Sequence, residues 1–199
     1  MVNRNETSAR NKILTAAHNL FVTSGYGSTT IKHIAGEAGV AVQTVYFVFG
    51  NKRAILEALL DVTIAGDELA IPTLERTWVA DARAAEDPME HLRIHVHAAR
   101  LISERVARIL LVVRAGADAD PEVAELWRTN VEQRVTVLRS LMSSLAEKVA
   151  GMDVDTCVDV GLALLSPELY TLLVHDRSWS PEKYEAWVVE GLAASARCS

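Results

Sequence analysis

The sequence predicts an all-α fold, with an N-terminal three-helix helix-turn-helix domain over residues 1–55 and a larger helical domain over residues 56–199. Three observations carry this. Apolar residues recur at spacings of three and four along the whole chain, and no period-two segment bounded by turn residues interrupts them. Glycines at 25 and 39 close two short helical segments in quick succession. Formal charge changes sign between the two parts. Residues 1–55 hold Arg4, Arg10, Lys12, Lys32, Lys52 and Arg53 against Glu6 and Glu37, net +4, whereas the whole chain carries −6, leaving −10 for the remainder.

In chain order, the first helix starts near Ser8 and places Ile13, Ala16, Ala17, Leu20 and Phe21 on one stripe. Gly25, in a left-handed C′ conformation, is expected to end it, with Tyr26-Gly27-Ser28 as a turn. Thr29 or Thr30 caps a second helix whose Ile31, Ile34, Ala35 and Ala38 share a face, and Gly39 ends that one. A third helix spans about Val42 to Phe49, and Asn51 caps a longer fourth beginning at Lys52. Irregular periodicity over Asp61 to Ala85, with Gly66 and Pro72, leaves the end of the fourth helix open. Asp87-Pro88 opens a helix to about Arg114, with Ser103 marked for a kink, and Asp120-Pro121 opens another to about Ala150. Asp153 or Asp155 opens the next, Ser166-Pro167 interrupts it, and Ser180-Pro181 starts a last helix to about Ala196.

Several function classes are excluded or disfavoured by composition. The longest aliphatic run, Ile109 to Val113, is flanked by Arg108 and Arg114 and falls far short of the roughly 20 residues a membrane span needs. The N-terminus lacks a secretory h-region, so a cytoplasmic protein is expected. Cys157 and Cys198 stand apart, outside any metal-binding spacing, and read as reduced thiols. The chain has no G-x-S-x-G elbow, no H-E-x-x-H, no phosphate-cradling G-x-x-x-x-G-K and no dinucleotide fingerprint, so no catalytic residue, metal or cofactor is expected.

The stretch from Ile13 to Leu60 carries the most specific chemistry. The second helix, the Ala38-Gly39-Val40 turn and the third helix have the dimensions of a helix-turn-helix. Ala35 is small where the helices cross, Gly39 supplies the tight turn, and Val40 and Val45 fill the small core. Periodicity assigns Val42, Val45, Tyr46 and Phe49 to the inner face of the third helix. It assigns Gln43, Thr44, Phe47 and Val48 to the outer face, which could enter a major groove.

Taken together, Thr29-Thr30, Ile34-Ala35, Ala38-Gly39-Val40, Thr44-Val45-Tyr46 and Phe49-Gly50-Asn51-Lys52 resemble the TetR family of transcriptional regulators over about fifty residues. The resemblance implies that Thr30, Thr44, Tyr46 and Lys52 contact DNA phosphates, and that Lys32, Val42, Gln43 and Phe47 lie near base edges. It also implies a helical ligand-binding and dimerisation domain after the head, and a palindromic double-stranded operator as partner. Two positions depart from the family pattern. Ala41 stands where a capping Ser or Thr is usual, costing about 1 kcal/mol, and Val48 stands where His or Tyr is common. Gln43 is then the best hydrogen-bonding reader, of an adenine, and Phe47 or Val48 packs on a thymine methyl.

The remainder of the chain supplies less specific signals. Leu162, Leu165 and Leu169 belong to one apolar stripe and Tyr184, Trp187, Val188 and Gly191 to another, and the pair suits a four-helix homodimer interface or, alternatively, the subunit's own core. Trp78, His91, His95 and Trp127 are candidate pocket residues for an unknown small-molecule effector, with plain core packing as the alternative for the tryptophans. His91 and His95 have an i, i+4 spacing open to a metal, but no glutamate follows His91 and no cysteine is near. The expected function is a sequence-specific DNA-binding regulator, a repressor released by a lipophilic ligand. The alternative is a small-molecule or protein-binding module whose helix-turn-helix binds no DNA.

Overall fold

The structure is a computed structural model that describes residues 4–66 and 71–197, with side chains from Ser8 onward. It is all-α: α1 (Arg4–Ser28), α2 (Ile31–Ala38), α3 (Val42–Phe49), α4 (Lys52–Ala65), α5 (Thr77–Ala84), α6 (Pro88–Ala117), α7 (Pro121–Ala146), α8 (Val154–Leu164), α9 (Pro167–Tyr170) and α10 (Pro181–Arg197). A 3-10 turn at Thr73–Glu75 precedes α5, and a π-helical turn at Thr171–Asp176 follows α9. No strand occurs among the described residues. Cys198 and the Arg4 side chain lie outside the described residues.

The chain divides into two compact units: Met1–Ile64 with Arg108–Arg128, and Ala65–Ala107 with Thr129–Ser199. The sequence boundary at residue 55 therefore falls inside α4. The reason is burial: Ile55, Leu56, Leu59 and Leu60 are all withdrawn from solvent, so the first unit holds on to α4 for two more turns. The first unit also contains the α6–α7 corner, where Gly116 lies against Val123 and Tyr26.

Local chemistry explains the ends. Asp153 caps α8 by accepting from the backbone N–H of Asp155 and Thr156, and Ser166 caps α9 through the N–H of Leu169 at 3.2 Å. Gly25 takes φ 81°, as a turn requires, but with ψ 161° it is extended rather than left-handed helical, and the chain re-enters a helical turn as far as Ser28. No break occurs at Ser103. Its hydroxyl donates to the Ala99 carbonyl at 2.9 Å, one turn back, and α6 continues to Ala117.

The core of the second unit is built from Val79, Leu92, Val96, Leu141, Met142, Leu145, Val158, Tyr170, Tyr184, Val188 and Leu192. Among the described residues, no single helix is long and apolar enough to cross a membrane.

Candidate nucleic-acid interface

The interface is assembled in the first unit from α1 to α4. Thr30 caps α2, its hydroxyl accepting from the His33 N–H at 3.2 Å, while Thr29 is buried and donates to the Gly25 carbonyl at 2.8 Å. Gly39 sits in the left-handed region (φ 64°, ψ 36°), and the Val40 N–H returns to the Ala35 carbonyl at 3.0 Å, closing α2 and aiming α3. Ala41 leaves α3 without a side-chain cap. Ile34, Ala35 and Val45 are buried where the two helices cross.

Val45 is the one fully buried residue of α3, with Val42 and Phe49 half-buried beside it. Tyr46 was expected on that inner face but is 53% exposed, and Phe47 is 81% exposed. The geometry accounts for the difference. Val42, Val45 and Phe49 follow i, i+3, i+7 spacing, which fills a narrow arc, and Tyr46 is turned about 100° beyond Val45. Gln43 and Lys32 are exposed, Thr30 is exposed, and Thr44 and Val48 are half-buried. The outward surface therefore presents Gln43, Tyr46 and Phe47, with Lys32 nearby in sequence on α2.

Lys52, expected at a phosphate, also has an internal role. Its ammonium donates to the carbonyls of Tyr26 at 2.7 Å and Thr29 at 3.0 Å and lies 4.0 Å from the centre of the Tyr26 ring. Burial lowers its pKa from the usual lysine value. Two of its three ammonium protons are thus engaged by carbonyls. Arg10, one of the basic residues of the head, places its guanidinium 5.6 Å from the centre of the Phe49 ring, and Lys12 is exposed.

Sequence reasoning missed Tyr26, which it treated as a turn residue. The side chain is buried, its hydroxyl hydrogen-bonds the Asp120 carboxylate, and burial first and Asp120 second push its pKa up to about 12. The only sequence signal was an aromatic residue between two glycines. Arg53 adds a second tie to the α6–α7 corner, 3.2 Å from Glu122.

Residues 13–59 match the family model described as bacterial regulatory proteins, tetR family. Over these residues the head is similar to the helix-turn-helix domain of that family. The chain is 26% identical over 183 residues to the HTH-type transcriptional regulator EthR of Mycobacterium tuberculosis, covering 90% of this chain and 81% of EthR. Its fold is similar to NalD, described as the secondary repressor of the MexAB-OprM multidrug efflux pump in Pseudomonas aeruginosa, with TM-score 0.72, 22% identity and coverage of 96% and 98%. It is equally similar to the regulator FadR of Bacillus subtilis in complex with stearoyl-CoA, with TM-score 0.71, 19% identity and coverage of 93% and 98%.

The remaining sequence candidates lie outside the head or at its margin. Trp78, His91 and His95 come together in the second unit. His95 is stacked on Trp78 with ring centres 6.2 Å apart, and both imidazoles are buried. Trp127 does not join them: it belongs to the first unit, where the Arg114 guanidinium lies 5.4 Å from its ring centre. Among the described residues, no group of three or more His, Cys, Asp or Glu side chains could hold a metal.

The two stripes assigned to a dimer interface are divided by burial. Tyr184 and Val188 are 0% exposed and Leu165 is buried, so all three serve their own subunit's core. The Tyr184 hydroxyl donates to the Leu164 carbonyl at 2.6 Å. Gly191 is small for the same reason, since a Cβ there would stand 2.8 Å from Leu164 Cδ1. Leu162 and Leu169 are half-buried, while Trp187 is 39% exposed and packs edge-on against Trp179.

Proposed function

We infer that this chain is a sequence-specific DNA-binding transcriptional regulator that binds a palindromic operator as a homodimer and is released from it by a small lipophilic effector. The observation that carries this reading is the outer face of α3. A short helix aims two aromatic side chains and Gln43 into solvent from a head of net +4. Exposed aromatics are costly in water and useful against thymine methyls and phosphates, and Gln43 has the donor and acceptor pair that suits adenine. The names of similar proteins support regulation rather than catalysis, and such a regulator works in the cytoplasm with its operator.

Dimerisation follows from the reach of α3. Eight residues read too few base pairs for specificity, and a two-fold dimer doubles the site. With Tyr184 and Val188 committed to the core, the surface proposed for the partner subunit is the other side, around Leu162, Leu169, Trp187 and the half-exposed Leu172. The effector acts by population shift: it favours a spacing of the two recognition helices other than one DNA turn, roughly 34–36 Å. α6 and α7 are continuous through both units, and α6 ends at the corner that holds Tyr26 and Arg53. Ligand-driven movement of α6 therefore has a route to the head along its own helix. A lipophilic effector accords with the apolar core of the second unit and with FadR, whose structure holds stearoyl-CoA.

Selection of duplexes from a random pool, followed by titration of the winner at several salt concentrations, tests this. The expected result is an enriched palindrome with a steep salt slope that Lys52→Ala lowers by about one. Absence of any enriched palindrome, with and without added lipophilic compounds, would assign the helix-turn-helix to a protein partner.

A further inference from the structure

Two imidazoles stand one helical turn apart on α6, inside the second unit, and neither completes its hydrogen bonding. His91 is 0% and His95 2% exposed. The Lys148 ammonium lies 3.2 Å from His91 Nδ1. An ammonium only donates, so Nδ1 accepts and the His91 proton sits on Nε2. That Nε2 has no hydrogen-bond partner, and neither has His95 Nδ1. The Ala82 and Leu141 carbonyls stand near the His91 ring and favour its proton, without hydrogen-bond geometry at Nε2. The His95 ring lies parallel to the half-buried Trp78 indole, at an interplanar angle of 8°. A leucine at position 95 would fill the interior without leaving an orphaned polar atom, so the imidazole needs a reason, and a ligand that completes its hydrogen bonds is one.

We propose that His95, backed by His91 and walled by Trp78, is the polar contact of the effector site, and that the effector is an amphiphile presenting an uncharged hydrogen-bonding group, an ester, ketone or hydroxyl. This rests on the ligand-responsive reading above. Electrostatics selects the uncharged class. The three N–H groups of Lys148 are shared among the carbonyls of Ala82, Arg83 and Ala85 and His91 Nδ1, and Arg83 is turned to Ser140. Burial holds both rings neutral, the pKa of His91 falling to about 4 with Lys148 as second cause and that of His95 to about 3 with His91 as second cause. A carboxylate placed here would lose its water without gaining a free counter-ion.

The test is a titration of the full-length chain with methyl dodecanoate, dodecanol and dodecanoate, below their solubility limits, followed by tryptophan fluorescence. The two neutral probes are expected to saturate and to bind about tenfold tighter than dodecanoate. His95→Leu should weaken them about tenfold, whereas His95→Asn, which keeps polar atoms close to Nδ1, should retain most of the affinity. Both variants should bind the selected operator as the parent does when no probe is present. Equal binding of dodecanoate, failure of both neutral probes to saturate, or unchanged affinity in both His95 variants would overturn the proposal. If the chain binds probes through His95 but selects no operator, the site stands and the regulator reading falls. If it selects an operator but the probe results fail, only the site falls.

Discussion

The head and the body use aromatic residues in opposite ways. On α3, Tyr46 and Phe47 stand in solvent, whereas in the second unit Tyr170 and Tyr184 are among the most deeply buried side chains and meet edge-on with ring centres 5.0 Å apart. Packing explains the second pair completely: large rings fill a many-helix interior, and the Tyr184 hydroxyl finds the Leu164 carbonyl. Packing explains nothing about the first pair, because the head closes on Val45, Ile34 and Ala35 without them. Residue type is therefore a poor guide to role, and exposure in a small basic domain is a better one.

The largest expected effect tests the buried side of that contrast. Tyr184→Ala removes a fully buried ring and leaves the Leu164 carbonyl without its donor, so thermal or urea unfolding should show a loss of about 3–5 kcal/mol. Tyr184→Phe keeps the ring and should cost only about 1 kcal/mol. A small loss in the alanine variant would mean that the ring is not the core element its burial indicates.

Next in size is an acid-side effect confined to the second unit. His91 and His95 have native pKa values near 4 and 3, below the ordinary 6.5. The unfolded chain therefore binds these protons first. Stability is complete above about pH 6.5 and falls as pH drops toward 4, by about 2 kcal/mol for each histidine once pH 5 is reached. Unfolding midpoints from pH 7 to 4.5 should show this decline, and His95→Leu should flatten it. An equal decline in the variant would place the acid sensitivity elsewhere.

These regions also differ in how much the sequence reveals. Helix starts were legible because proline at the first helical position marks them chemically: Pro88, Pro121, Pro167 and Pro181 each begin a helix. The helix-turn-helix was legible because its turn needs Gly39 and its crossing needs Ala35. Which side of a stripe is buried was not legible. Periodicity puts Tyr184, Trp187 and Val188 on one broad face, but only the neighbouring helices decide that Tyr184 and Val188 turn inward and Trp187 outward. The Tyr26–Asp120 hydrogen bond was hidden for a related reason, since it joins positions far apart in the chain through tertiary structure alone. The same is true of Lys148, whose role at the end of α5 no local pattern announces.

A smaller effect separates the exposed aromatics from the buried ones. Phe47→Ala should leave unfolding within about 0.5 kcal/mol of the parent, yet weaken the selected operator by about 1 kcal/mol, with the loss concentrated at A·T positions where a thymine methyl is presented. A uniform loss across all duplexes would instead assign Phe47 to the phosphate backbone.

The smallest effect lies within the head itself, between two helices of equal length. α2 has its Thr30 cap, and α3 begins at Ala41 with none. Ala41 already has the extended backbone of an N-cap, φ −69° and ψ 147°, and its carbonyl accepts from the Thr44 N–H at 2.9 Å. A hydroxyl there would find unpaired N–H groups in the first turn without any backbone change, so Ala41→Ser should stabilise the protein by about 0.5–1 kcal/mol. Because position 41 is exposed and sits where α3 would meet DNA, the serine would also be available to a phosphate. Unfolding and operator titrations on the same variant distinguish the two contributions. A gain in stability at unchanged salt slope would mean that the hydroxyl is occupied in capping, and a gain in affinity without one in stability would place it on the phosphate.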